Sequence, residues 1–335
     1  MNQSSPVNRA SPARPPLLLA AHGTRDQAGV EAFNKLAARV GRLAAAEGTL
    51  VAGGFIELSP PPLREAVAAL IAASPAAVSP VAASPAAVSP VAASPAAASP
   101  VAASPAAAHP AAMVAVPLML SAAGHAKGDI PAALARERTR HPGLTWTYAR
   151  PLGPHPALLD LLAARISAVA DPAVAPAVLL VGRGSSDPDA NADVVKTARL
   201  LWEGRAYPLA ETAFVSLTAP SVAEGLDRCR LLGAQQIVVA RYFLFPGVLP
   251  DRVAQQARDF AAGYPELDVR CTDVLGDCDE IAALVYERYR EALSGDIRMN
   301  CDMCVYRTAM PGFEHRVGEP QHPHEHPHDH AHAHG

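Results

Sequence analysis

No apolar run in this chain of 335 residues is long enough to span a membrane, because proline interrupts its one long Ala/Val stretch. The first apolar segment, Leu17 to Ala21, is too short for the hydrophobic part of a signal peptide, and it follows a polar, proline-rich leader over residues 1–15. Neither sign of charge is in excess: 28 Lys+Arg against 32 Asp+Glu leave a formal net charge of −4 and no basic footprint for nucleic acid. Cysteine is sparse at five residues. Cys229 sits in a helix-like stretch and Cys301 and Cys304 form a C-x-x-C, so there is no secreted disulfide framework. Together these absences predict a soluble cytoplasmic protein with neither a membrane nor a nucleic acid as partner. What is present, at 50% hydrophobic residues, suffices for two domains with proper cores.

The order of segments predicts an α/β fold. Leu17 to Ala21 reads as a buried strand ending at His22-Gly23-Thr24-Arg25-Asp26. A helix follows over about Gly29 to Ala46, with Val30, Phe33, Leu36, Ala37 and Val40 spaced for one face. Val51 to Leu58 reads as a second strand with Glu57 near its C-terminal end, and Leu63 to Ala73 as a second helix. From Ser74 to Pro110 the chain cycles through SPAAVSPVAA; proline every five residues and the lack of large apolar side chains predict a disordered insertion. Met113 to Leu120 then reads as a strand, Ser121 to Gly124 as a small-residue loop ending at His125, and Asp129 with Pro131 as cap and first turn of a helix to Arg140. Leu144 to Ala149 (strand) and Pro156 to Ala168 (helix) close this half. The alternation predicts doubly wound parallel sheets.

The second half repeats the first. Val178 to Asp187 lies over Leu17 to Asp26, Phe214 to Leu217 over Phe55 to Leu58, and Ile237 to Val253 over Val114 to Ile130. The offsets are 161 from His22 to Arg183, 159 from Glu57 to Ser216, and 123 from Gly124 to Gly247. The drop across the Ser/Pro/Ala segment matches that segment's length almost residue for residue, which predicts a tandem duplication with a graft in one helix–strand connection. The expected organisation is a leader (1–15), a first lobe (16–170, with the insertion at 74–110), a second lobe (177–295) and a tail (296–335).

In an open α/β sheet, ligands bind beyond the carboxyl ends of the strands. His22, Glu57 and His125 all stand at such ends, and their counterparts are Arg183, Ser216 and Val248. The second copy keeps the frame without the imidazoles, so packing alone does not account for them. Two imidazoles and a carboxylate can hold a divalent first-row metal, and histidine can accept a proton near neutral pH.

LLLAAHGTRD, FIEL with SPP, and PLMLSAAGHAKGDIP resemble the class II chelatases, in particular the long-form sirohydrochlorin cobaltochelatases. The likeness covers both halves and the C-terminal extension. It implies two chelatase-like, flavodoxin-like lobes with a cleft between them, and insertion of Co²⁺ into sirohydrochlorin, a tetrapyrrole, for cobalamin biosynthesis. It also implies that His22 is metal ligand and proton acceptor, that His125 is the second metal ligand, and that Leu120, Ser121, Ala122, Ala123 and Gly124 contact the macrocycle. Glu57 would be the acidic residue of the site, in catalysis and substrate binding. Insertion removes two protons from ring nitrogens, which suits His22 as base with Glu57 as relay. Arg25, Lys127 and Arg183 are candidates to meet the ring's carboxylates. His/Glu ligation does not separate Co²⁺ from Fe²⁺ or Ni²⁺, so iron insertion for siroheme is the alternative activity.

The tail adds two motifs. Cys301 and Cys304, in M-x-C-x-x-C, fit a redox dithiol, half a zinc site or half an iron–sulfur site; the resemblance implies a [4Fe–4S] cluster, with Cys271 and Cys278 or a second subunit as further ligands. His322, His324, His326, His328, His330, His332 and His334 form a tract that could buffer or deliver a divalent metal, which leaves a storage or delivery protein as a non-enzymatic reading. The sequence does not fix the oligomeric state.

Overall fold

A computed structural model describes residues 14–73, 113–295 and 314–319. The segment Leu17–Ala21 forms β1, every residue of which is buried. Such a continuous apolar run fits a central parallel strand covered on both faces. Beside it lie β2 (Val51–Phe55) and β3 (Val114–Pro117), and β4 (Thr147–Tyr148) pairs with β3. The sheet is parallel with order β2-β1-β3-β4. The second sheet comprises β5 (Ala177–Gly182), β6 (Ala210–Phe214), β7 (Gln236–Arg241) and β8 (Asp268–Cys271), and has the same order, β6-β5-β7-β8, also parallel.

Helices α1 (Gln27–Ala45), α2 (Leu63–Ala73), α3 (Ile130–Arg140) and α4 (Pro156–Val169) follow the strands of the first half. Helices α5 (Pro188–Trp202), α6 (Val222–Leu231), α7 (Val248–Gly263) and α8 (Asp279–Ser294) follow those of the second. The alternation of β1 splits its side chains between two cores. Leu18 and Ala20 pack with Leu63, Val67, Ile130 and Leu134 of α2 and α3. Leu17, Leu19 and Ala21 join a core that runs on into the second half through Val178, Leu180 and Tyr289. The terminal helix of each half crosses over: α4 packs on β7 and α5, and α8 on α1, β3 and β4. Among the described residues no helix is long and apolar enough to cross a membrane.

Four boundaries differ from the sequence reading, one of them the strand expected over Leu144 to Ala149, which forms only at Thr147–Tyr148. The second strand stops at Phe55 rather than Leu58, because Leu58 takes a left-handed backbone (φ 65°) and turns the chain. The third is shorter and ends at Pro117, which has no N–H for a ladder. The helix after His125 does not start from an Asp129 cap: a π-helical turn, His125–Asp129, precedes α3, and Asp129 is already helical with no side-chain cap bond. The Ser/Pro/Ala segment, the leader up to residue 13, Cys301, Cys304 and the histidine tract lie outside the described residues.

Candidate active site

Pairing between β1 and β2 continues past both strands. Ile56 N–H donates to Ala21 O at 2.9 Å and Glu57 N–H to His22 O at 3.1 Å, so the two side chains emerge side by side. Gly23 makes this approach possible. It has φ +112°, and a Cβ there would stand 1.8 Å from Glu57 O. The second half builds the same corner: Ser216 N–H donates to Arg183 O at 3.1 Å, Gly184 has φ +87°, and its Cβ would lie 1.9 Å from Ser216 O. Leu58 and Leu217 carry matching positive φ values, 65° and 68°. A left-handed leucine costs roughly 1 kcal/mol, and it recurs at both corners. Gly23→Ala is therefore expected to lose at least about 3 kcal/mol of stability in urea unfolding, from strained φ and a backbone collision. A loss below 1 kcal/mol would show that the corner relaxes.

At the first corner His22 Nε2 lies 2.9 Å from Glu57 Oε1, with the glutamate side chain only 8% exposed. The third strand end brings in His125. The imidazoles of His22 and His125 meet edge to face, their centroids 4.1 Å apart at 83°. The π turn sets His125 four residues before Asp129, and Nδ1 of His125 lies 2.5 Å from Asp129 Oδ2. A carboxylate on one ring nitrogen is the usual device for orienting the other toward a metal. Asp129, expected as a helix cap, thus orients His125; its i,i+4 spacing was the available signal. π turns of this kind recur at functional sites. The three residues singled out from sequence therefore come together as a chain, Glu57–His22–His125–Asp129. Among the described residues no three or more His, Cys, Asp or Glu side chains converge as a metal cage. The arrangement is an open pair of imidazoles flanked by carboxylates, suited to an ion that must be released.

The loop before His125 is graded in exposure: Ala122 is buried, Leu120, Ser121 and Ala123 are half-buried, and Gly124 is exposed. Arg25 and Arg183 are exposed at the ends of β1 and β5. Lys127 is not where the sequence reading placed it. Its Nζ is bonded to Asp187 Oδ2 at 2.7 Å and Asp189 Oδ2 at 3.0 Å, with the side chain 7% exposed, so it is not directed at a substrate carboxylate. The aspartates sit at the start of α5, where Asp187 also caps the helix through Asp189 N–H. Nearby Asp193 Oδ2 accepts a long 3.5 Å bond from Ala122 N–H, and burial together with Asp189 pushes its carboxyl up to about 6. This acidic group was missed because nothing in the sequence links residues 187–193 to residues 122–127.

The counterparts in the second sheet hold no imidazole. Arg183, Ser216 and Val248 (65% exposed) stand at these ends instead. Cys271 lies on β8 and Cys278 before α8, their thiols both pushed up by burial.

The CbiX family model matches residues 16–89, 95–169 and 177–292. A sirohydrochlorin cobaltochelatase of Priestia megaterium is 39% identical over 199 residues, 58% of this chain. The match spans 65% of that relative's length. A sirohydrochlorin ferrochelatase of the same organism is 31% identical over 180 residues, 53% of this chain and 67% of the relative. In three dimensions the chain is similar to SirB from Bacillus subtilis with Fe³⁺ (TM-score 0.64, 24% identity, 86% of this chain and all of the other). It is also similar to a cobalt complex of the sirohydrochlorin chelatase SirB from Bacillus subtilis subspecies spizizenii (TM-score 0.60, 23% identity, 84% and 96%). These likenesses show the expected two-lobed α/β chelatase fold, and the family model spans both lobes: the chain belongs to the CbiX family.

Proposed function

We propose that this protein is a chelatase that inserts a divalent metal, Co²⁺ before Fe²⁺ or Ni²⁺, into sirohydrochlorin on the route to cobalamin. The observation that carries the reading is the contact chain Glu57–His22–His125–Asp129 at the ends of three adjacent strands. Co²⁺ is favoured by the 39% identical cobaltochelatase over the 31% identical ferrochelatase.

In this reading the metal is a substrate, held between His22 and His125 until the ring takes it. His125 is oriented by Asp129 through Nδ1, so Nε2 is its donor to the ion. As the metal enters, the ring nitrogens give up two protons to bases; His22 accepts one, and Glu57, whose Oε1 lies 2.9 Å from His22 Nε2, takes it onward. The macrocycle lies along Leu120, Ser121, Ala122, Ala123 and Gly124, where Gly124 is the most open residue. The histidine tract, His322 to His334, serves to buffer or deliver the divalent metal. Nothing in the insertion chemistry requires the [4Fe–4S] cluster that Cys301 and Cys304 suggest.

The test is the absorbance change on adding Co²⁺ or Fe²⁺ to protein with sirohydrochlorin, comparing initial rates. Faster cobalt insertion is expected; faster iron insertion makes this the siroheme enzyme. A protein that binds metal without turnover is instead a storage or delivery protein. Glu57→Gln, which keeps the shape and removes the proton acceptor, is expected to lower kcat by ~10²-fold with KM for Co²⁺ changed far less. A kcat within twofold of wild type removes Glu57 from proton transfer.

A further inference from the structure

The two lobes meet along two related seams. In one, the segment after β3 meets the start of α5; in the other, the segment after β7 meets the start of α1. The second seam is closed by backbone, small groups and an aromatic contact between Phe33 of α1 and Phe245, their ring centroids 6.2 Å apart. A Cβ on Gly29 would lie 2.8 Å from Pro246 O, and one on Gly247 would lie 3.6 Å from Thr24 Oγ1. The first seam is closed by charge. Lys127 Nζ reaches Asp187 and Asp189, all three side chains at most 7% exposed, and Asp193 takes Ala122 N–H. By the offsets that relate the halves, Lys127 corresponds to Pro250, and Asp189 and Asp193 to Ala28 and Ala32. Only the N-cap aspartate is shared, as Asp26 and Asp187.

Burying an ammonium with carboxylates costs several kcal/mol of desolvation, and a well-packed apolar contact is often at least as stable. The same fold closes its other seam that way. The charged version stands where the histidine loop is, with Lys127 two residues beyond His125 and Ala122 three before it. Tyr148 Oη donates to Ala126 O at 2.7 Å, fixing the turn from its own lobe.

We propose that Lys127, through Asp187 and Asp189 of the second lobe, is a positioning residue that holds the His125 turn in register with His22 for metal binding. This gives the imidazole-free second lobe a role in the reaction, and it rests on the reading of His125 as metal ligand. An ammonium held between two buried carboxylates has no other partner to move to without leaving a buried charge unpaired, which a seam of uncharged groups does not impose. A ligand displaced by about 1 Å loses affinity steeply.

The test uses the full chain and cobalt. Co²⁺ binding is followed by visible absorption, and the component lost in His125→Ala is taken as the site, so that the histidine tract does not interfere. KM for Co²⁺, KM for sirohydrochlorin and kcat are measured for Lys127→Met, Lys127→Arg and the double variant K127Q/D189N, which removes one charge of each sign. Lys127→Met and the double variant are expected to weaken the His125-dependent component and raise KM for Co²⁺ by tenfold or more, with KM for sirohydrochlorin within threefold; Lys127→Arg is expected to recover most of the loss. Folded variants with a lowered Tm but wild-type Co²⁺ binding and KM overturn the proposal, leaving the cluster a support of the fold alone. Failure of both Lys127→Met and the double variant to fold overturns it in the same way. If wild type and His125→Ala bind Co²⁺ identically, the reading of His125 falls first and the role of Lys127 falls with it.

Discussion

His125→Ala is expected to lower the initial rate of cobalt insertion by ~10²-fold or more while leaving most Co²⁺ capture by the whole chain in place. His125 has two separable partners. Its ring meets His22 at 4.1 Å, and its Nδ1 meets Asp129 at 2.5 Å. Alanine removes the ligand and also strips His22 of its ring neighbour. Asp129→Asn keeps both imidazoles and weakens only their orientation, so it is expected to cost ~10–100-fold in metal affinity with a smaller loss of kcat. The seven histidines from His322 to His334 continue to bind metal in both variants, so bulk binding does not report on the site. Rate and total binding must be measured on the same preparations. A His125→Ala protein that metallates the ring at the wild-type rate refutes the site. One that loses rate and total binding in parallel makes His125 the main store of metal rather than the point of transfer.

The frame of this site was legible from residue spacing, whereas its supports were not. His22, Glu57 and His125 each follow a short apolar run, and parallel sheets bring such ends together. The two halves share strand order, the Gly23/Gly184 approach and the left-handed Leu58/Leu217, so the internal offsets of 159 and 161 mark the same corners in both sheets. Asp129 was misread because Asp before Ile-Pro fits a helix cap, and the π turn that gives it to His125 instead depends on the full course of residues 121–130. Lys127 was misread because a lone lysine near a carboxylate-rich substrate suggests that substrate, and its actual partners lie 60 and 62 residues away in the other lobe. The exchange of α4 and α8 between lobes leaves no local pattern either. It depends on which apolar stripe meets which sheet.

That exchange carries the second large expectation: Arg288→Met should lower unfolding free energy by about 3 kcal/mol or more. Arg288 lies on α8 with only 1% exposure, yet its guanidinium serves the first lobe. Nε donates to Pro151 O at 3.0 Å and Nη2 to Leu152 O at 2.8 Å, while Nη1 meets Glu291 at 2.9 Å. Methionine fills most of the volume but leaves both carbonyls without their donor, at ~1–3 kcal/mol each. Glu291 keeps Arg150, whose Nε reaches it at 2.9 Å, so it is not stranded as a lone buried charge. The loss therefore comes from the two carbonyls and is expected as a lower urea midpoint with an unchanged slope. For a protein of this size it corresponds to a Tm lower by about 4–6 °C. Arg288 does not touch Glu57, His22, His125 or Asp129, so the rate per folded molecule at 25 °C should stay within a few-fold of wild type. A loss under 1 kcal/mol would mean that desolvation of the guanidinium cancels its bonds; a collapse of rate in fully folded protein would mean that the 151–152 turn governs the histidine loop, which it reaches through Leu152 N–H to Met119 O at 2.8 Å.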